Sequence, residues 1–167
     1  MLVYHPAFDY YNCIFRLLQL LTHLKEDEIE IERLRIWDFY LTFPSEAASI
    51  SFPSDLLELK KIFKEKSNSY EVLVDSRRVF ERMKPFQITA IETLISYGFV
   101  KADALKTNII IRTKKPIPDA LKKSIDTLSI ERQNIIKLVT GFVDLPLYGD
   151  RGLKFRTKLI DFKYDYK

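Results

Sequence analysis

An α+β fold, predominantly helical, is what this chain of 167 residues predicts, and three observations predict it. Apolar residues recur at helical spacing through most of the chain. N-cap residues stand just ahead of those runs, at Asp9, at Asp75 or Ser76, and at Ser129. One stretch, Phe99 to Thr113, reads instead as two short strands around a turn.

The first helix follows Asp9, whose carboxylate can accept from the orphan amides of the first turn. Tyr11, Ile14, Leu18 and Leu21 make one apolar stripe, and Cys13, Leu17, Leu20 and Leu24 a second beside it. Asn12, Arg16, Gln19 and His23 form a narrow polar seam, so the helix must be covered on most sides. A second helix, Ile31 to Leu41, carries Leu34, Trp37 and Leu41 on one face and stops before Pro44. Ser45 to Phe52 reads as a small-residue loop. Ser54 is placed to cap a third helix, which presents Lys60, Lys61 and Lys64 outward and breaks at Ser67-Asn68-Ser69. A fourth, with Val79, Phe80 and Met83, is expected to end near Pro85.

Ile88, Ile91, Leu94 and Ile95 then give another helix, Gly98 a left-handed C-cap, and Phe99-Val100-Lys101 a strand start. After a turn from Ala102 to Lys106, Asn108 to Thr113 is the return strand. Helix, glycine, short strand, turn and longer strand make up the back half of a winged helix with a short β-hairpin wing. Past Pro118, helices are expected from Asp119 to Ile125 and from Ser129 through Val139, with Gly141 ending the second. The whole therefore reads as one domain, 1–167. It has a helical N-terminal part (1–66), a winged-helix-like part (75–115) and a helical part with a basic tail (116–167).

A chain of this length buries about two-thirds of its unfolded surface and needs no staple. No segment approaches the roughly 20 apolar residues of a membrane span. The opening lacks a basic n-region, and the single Cys13 precludes an internal disulfide, so a reducing cytoplasm is the expected location. The net charge of +4 is unevenly spread: residues 1–100 hold 12 Lys and Arg against 15 Asp and Glu, residues 101–167 hold 15 against 8. The two ends are expected to face different partners, although a charge run is also what a solvated face looks like.

Catalysis finds no motif. His5 and His23 lack metal-ligand spacing, and no nucleophile elbow, kinase set or dinucleotide fingerprint occurs. No catalytic residue, metal or cofactor is expected. Base readout also lacks support, because Pro85 to Val100 contains no Lys or Arg, and its outward candidates are Gln87, Thr89, Glu92, Thr93 and Ser96. Lys101, Lys106, Arg112, Lys114 and Lys115 on the hairpin remain candidate phosphate contacts.

Three stretches carry a family resemblance. Tyr4-His5-Pro6-Ala7-Phe8-Asp9 with Phe15-Arg16-Leu17-Leu18, then Asp38 to Pro44, and finally Gly152-Leu153-Lys154-Phe155-Arg156-Thr157 resemble the middle component of bacterial ABC-three-component systems, of which the Lamassu anti-phage systems are the best-described members. The resemblance implies a non-catalytic subunit of a defence complex. It would bridge an SMC/Rad50-like coiled-coil ATPase and an effector, often a nuclease, and help keep the effector silent. DNA would be met only weakly or within the complex, and no membrane is involved.

Candidate partner-binding residues are Tyr4, His5, Phe8, Arg16, Arg151, Lys154 and Arg156, which combine the aromatic and arginine character of interface hot spots. Two alternatives stay open here. Tyr4, Phe8 and Arg16 can equally staple the N-terminus to the first helix, and Gly149 to Thr157 can be a tail packed on the core. The competing function is a stand-alone winged-helix DNA-binding transcriptional regulator, which would need a cationic recognition helix.

Overall fold

The computed structural model describes residues 4–24, 26–66 and 70–161. A 3₁₀ turn, Pro6–Phe8, leads into α1, Tyr10–His23, whose N-cap Asp9 accepts from the Asn12 amide as its sequence predicts. Strand β1, Ile29–Glu30, runs directly into α2, Ile31–Thr42. After α3, Leu57–Lys66, comes α4, Ser76–Ser96, and then the single turn α5, Ala104–Thr107, before β2, Ile109–Ile110. Helices α6, Asp119–Asp126, α7, Ile130–Gly141, and α8, Leu153–Thr157, complete the order.

Helix α4 is the largest departure from expectation. Pro85 does not end it; the helix runs 21 residues through the proline. Phe80, Met83, Gln87, Ala90, Ile91 and Leu94 are buried in one unbroken helical phase, and Pro85 sits on the opposite, exposed side. The proline ring costs the Glu81 carbonyl its intrahelical bond, about 3 kcal/mol in an isolated helix. Burying apolar side chains on both sides of it offsets that loss, at roughly 1.5–3 kcal/mol each. Asp75, rather than Ser76, is the cap, accepting from the Arg78 amide.

Gly98 closes α4 at φ +77°. The Gly98 amide donates to the Ile95 carbonyl and the Phe99 amide to that of Leu94, the paired bonds that a left-handed C-cap makes. Beyond it the hairpin is shorter than expected. Val100 and Arg112 form one antiparallel bridge, and the loop between them winds into α5 instead of a plain turn. Ile109–Ile110 pairs with a segment unforeseen as a strand: Ile29 faces Ile110 and Glu30 faces Ile109, antiparallel. The extended segments therefore lie in the order 29–30, 109–112, 100.

Two smaller corrections concern the segment after α2. Residues 44–49 are not a loop but a 3₁₀ helix, Pro44–Ser49, which buries Glu46 and Ala47. Ser54 caps nothing: Ser54–Leu56 is itself a 3₁₀ turn entered from Pro53, without a side-chain cap bond. The expected break at 67–69 lies outside the described residues.

The buried hydrophobic residues form one cluster. Helix α1 packs along α4, α2 lies against both, α6 covers α1 and α7 covers α2. Trp37 sits edge-on to Phe142 at 6.0 Å, and Phe39 edge-on to Phe80 at 6.0 Å, joining α2 to the C-terminal helices and to α4. The predicted single apolar face of α2 widens to the whole helix, which is buried from Ile31 to Leu41 except at Glu32. No helix among the described residues is long and apolar enough to cross a membrane.

Candidate functional site

The opening residues build a surface on α4. His5 caps the 3₁₀ turn by accepting from the Ala7 amide at Nδ1 and stacks on Phe43, with centroids 5.3 Å apart. Phe8 lies under the Arg82 guanidinium at 4.6 Å and beside Phe86, which also meets Tyr10 at 5.1 Å. Tyr4 remains 65% exposed, its hydroxyl accepting from the Asn12 amide group. Tyr4, His5, Phe8, Glu81, Arg82, Pro85 and Phe86 line an open groove of about 650 Å³. Arg82 and Phe86, both missed from sequence, belong to this surface, Phe86 on the part of α4 that continues past Pro85.

Arg16 is not part of that surface. It is 1% exposed, and its Nε and Nη2 donate to the two Asp38 carboxylate oxygens at 2.6 and 3.2 Å. Its Nη1 donates to the Pro6 carbonyl at 2.9 Å, which ties the opening turn to α1 and favours the internal staple over a partner contact. Asp38 also accepts from Gln87 Nε2 at 2.8 Å. Gln87 in turn accepts from Arg35 Nε at 2.8 Å and donates to the Arg35 carbonyl at 3.2 Å. The Gln87 side chain, expected outward, is thus the hub of a buried polar network.

The electrostatics of this network follow from burial. Desolvation works to lower the Arg16 pKa and the Asp38 carboxylate to raise it, and the net shift is upward. Arg35, over the Phe80 ring at 4.5 Å, is held below its ordinary pKa by burial. Cys13, whose thiol faces Asp38 at 3.9 Å, is pushed well above the ordinary thiol range by burial first and by the Asp38 charge second. A thiol kept protonated is a structural group and not a nucleophile.

The tail cations are also drawn inward. Lys154 is 6% exposed, with Nζ 3.0 Å from Glu32 Oε2 and 4.4 Å from the Tyr148 ring centroid. Arg156 donates from Nε to the Arg151 carbonyl at 2.7 Å and from Nη1 to the Ser51 carbonyl at 2.9 Å, while the Ser51 amide donates back to the Arg156 carbonyl at 3.0 Å. Gly152 is required here, since a Cβ would lie 2.2 Å from the Tyr148 carbonyl oxygen. Of the three tail residues singled out in the sequence, Arg151 alone stays exposed. Lys154 and Arg156 fasten the chain to itself.

The hairpin cations are exposed at Lys101, Lys106, Lys114 and Lys115 and half-buried at Arg112. Lys101, Arg112 and Lys114 line one cavity together with Glu26, Asp27 and Glu28, so carboxylates already answer part of that charge. Lys115 reaches back over Phe99 and donates to the Tyr97 carbonyl. Helix α4 is not the cation-free helix that its last 11 residues portray: Arg77, Arg78, Arg82 and Lys84 are exposed on its first half. Among the described residues, no His, Cys, Asp or Glu group could hold a metal ion.

No curated protein and no solved structure matches the chain. A family model does: ABC-three component (ABC-3C) system Middle Component 5 matches residues 2–165, nearly the full length. The three short motifs that resemble such components all lie within that span, and the family's place in a multi-subunit system makes the other subunits its partners. The chain belongs to the ABC-three-component system middle component family.

Proposed function

We propose that this middle component is a non-catalytic accessory subunit of a Lamassu-type anti-phage complex, acting in the cytoplasm. It bridges an SMC/Rad50-like ATPase and a nuclease-like effector and helps control the effector. The family match over residues 2–165 carries the subunit reading; the bridging and control rest on family analogy. The groove of Tyr4, His5, Phe8, Arg82 and Phe86 is the first docking surface, because its exposed aromatic and arginine groups suit an interface hot spot. Arg151 marks a second, smaller one. Arg16, Lys154 and Arg156 act inside the chain and are not carried forward as partner contacts.

Residues 1–167 make one domain in this reading, with a winged-helix core wider than residues 75–115. Its helices are α1, α2 and α4, and its strands are 29–30, 100 and 109–112. The support is the strand order, in which the last segment lies between the other two, and the mutual packing of those three helices. Residues 43–75, between α2 and α4, are then an insertion.

Co-expression with the neighbouring genes of its operon tests the function. Co-purification of a coiled-coil ATPase in defined ratio, lost in the R82E/F86A variant at unchanged Tm, is the expected result. Recovery of a clean monomer or homodimer would overturn it.

One observation favours a second reading, the DNA-binding regulator: Arg77, Arg78, Arg82 and Lys84, on the same helix, supply the cations that residues 85–100 lack. Titration against random duplex at 50 and 200 mM salt separates the two. Tight, steeply salt-dependent binding by the isolated chain supports the regulator, and no binding supports the subunit.

A further inference from the structure

We propose that the cavity between α3, the 3₁₀ helix Pro44–Ser49 and the first turns of α7 receives an arginine side chain from a partner chain. The inference rests on the subunit reading, since the partner is another component of the same system. The cavity holds about 380 Å³, at the small end of ligand pockets, which suits one long side chain and not a whole helix or strand.

Its walls are of two kinds. Pro44 and, on α3, Ile62 and Phe63 supply apolar surface. Glu71 enters from the segment ahead of α4, while Glu131 and Asn134 stand three residues apart on α7. The Ser45 hydroxyl donates to one Glu71 oxygen at 3.0 Å. Both carboxylates are exposed and neither has an ion pair among the described residues. No described Lys or Arg lines the cavity.

Asn134 carries the inference. It is 8% exposed, yet its side-chain amide makes no hydrogen bond among the described residues. That amide is not sealed off as Arg33 Nη1 and Arg35 Nη2 are, so it opens into the cavity that Asn134 lines. Burial strips such a group of most of its water, and a donor entering the cavity restores the missing bond.

Two carboxylates select a cation and repel a phosphate, a nucleic acid or an anionic membrane. Three separate acceptors, Glu71, Glu131 and the Asn134 amide oxygen, match the five donors of a guanidinium better than the point charge of an ammonium. Ile62 and Phe63 offer the arginine stem the apolar surface on which long charged side chains lie. A metal ion fits poorly, since among the described residues no His, Cys, Asp or Glu group could hold one.

The test is co-expression of the full chain with the components encoded beside it, as the unaltered protein and as E131K and N134L. E131K reverses one charge at the cavity, and N134L removes the unpaired amide without adding charge. Co-purification of the unaltered chain, with at least about tenfold lower recovery of both variants and cooperative melting retained, supports the proposal. So does a saturable shift of the Asn134 side-chain amide resonance when N-acetyl-L-arginine amide is added to the isolated chain, absent in E131K.

Full recovery of both variants, or an Asn134 resonance that the arginine amide leaves unmoved, overturns the arginine pocket and leaves the subunit reading intact. Failure of the unaltered chain to co-purify overturns that reading and the partner with it. A concentration-dependent dimer of the isolated chain, lost in E131K, would assign the cavity to a second copy and so overturn the partner's arginine.

Discussion

The opening turn and the C-terminal tail carry the same chemistry in sequence, aromatic residues beside arginine or lysine, and the fold uses them in opposite ways. At the opening, the buried Arg16 pulls the 3₁₀ turn onto α1 and leaves Tyr4, His5 and Phe8 along a groove. In the tail, Lys154 and Arg156 reach Glu32 and the Ser51 carbonyl, and of the three cations singled out there only Arg151 is left exposed. The difference teaches that an arginine in a motif announces a demand for acceptors and does not say whose they are. Asp38, 22 residues downstream, satisfies one; Ser51, 105 residues upstream, satisfies the other.

The largest effect expected at either region comes from Asp38→Ala. It leaves Arg16 and Gln87 buried without their shared partner and should cost about 3–5 kcal/mol, read by denaturant unfolding. A joint Arg16→Met, Asp38→Leu replacement should regain most of that, and a joint variant no better than Asp38→Ala would show that the network positions the opening turn rather than merely neutralising itself. Next comes Arg156→Glu, expected to lose about 1.5–3 kcal/mol through its two carbonyl contacts. An unmoved Tm with failed assembly would reverse the contrast and return the tail to the docking surfaces. Gly152→Ala should cost about 1–3 kcal/mol, because the tail must open around the Tyr148 carbonyl.

Arg151→Glu should stay within about 0.5 kcal/mol of the parent, as exposed substitutions do. Any loss of assembly it causes is then a contact and not a folding effect. The smallest signal concerns Cys13: iodoacetamide should leave it unmodified in the folded chain and label it only on unfolding, as its raised pKa requires. Rapid labelling of the native protein would place the Arg16 and Asp38 pair nearer the surface than the fold has it.

Much of this architecture is legible from local signals. Asp9, Asp75 and Ser129 cap where their side chains allow, and Gly98 takes the left-handed turn that only glycine adopts without strain. Pro85 misleads because a proline rule is local while helix continuation is decided by packing. The usable signal was the phase of Phe80, Met83, Ile91 and Leu94, which does not break at the proline. Strand β1 was beyond reach, since two residues have no periodicity and Ile29 pairs only because Ile110 is brought to it. The groove was half legible: the aromatic opening was visible, but Phe86 lies on a helix only once α4 is known to be continuous, and the packing that brings Arg82 over Phe8 is tertiary.

The β1–β2 pairing also governs the order in which the protein can be made. Ile29 and Ile110 are 81 residues apart in sequence, so the sheet is a long-range closure, as is the packing of α1 on α4. During synthesis at about 5–20 residues per second, the first two helices must wait several seconds for β2 to leave the ribosome. Over that interval α1 and α2 lack α4 and present much of their apolar surface to the cell. Folding kinetics should therefore show a slow step set by the arrival of residues 76–112, and a chain truncated before them should depend on chaperones.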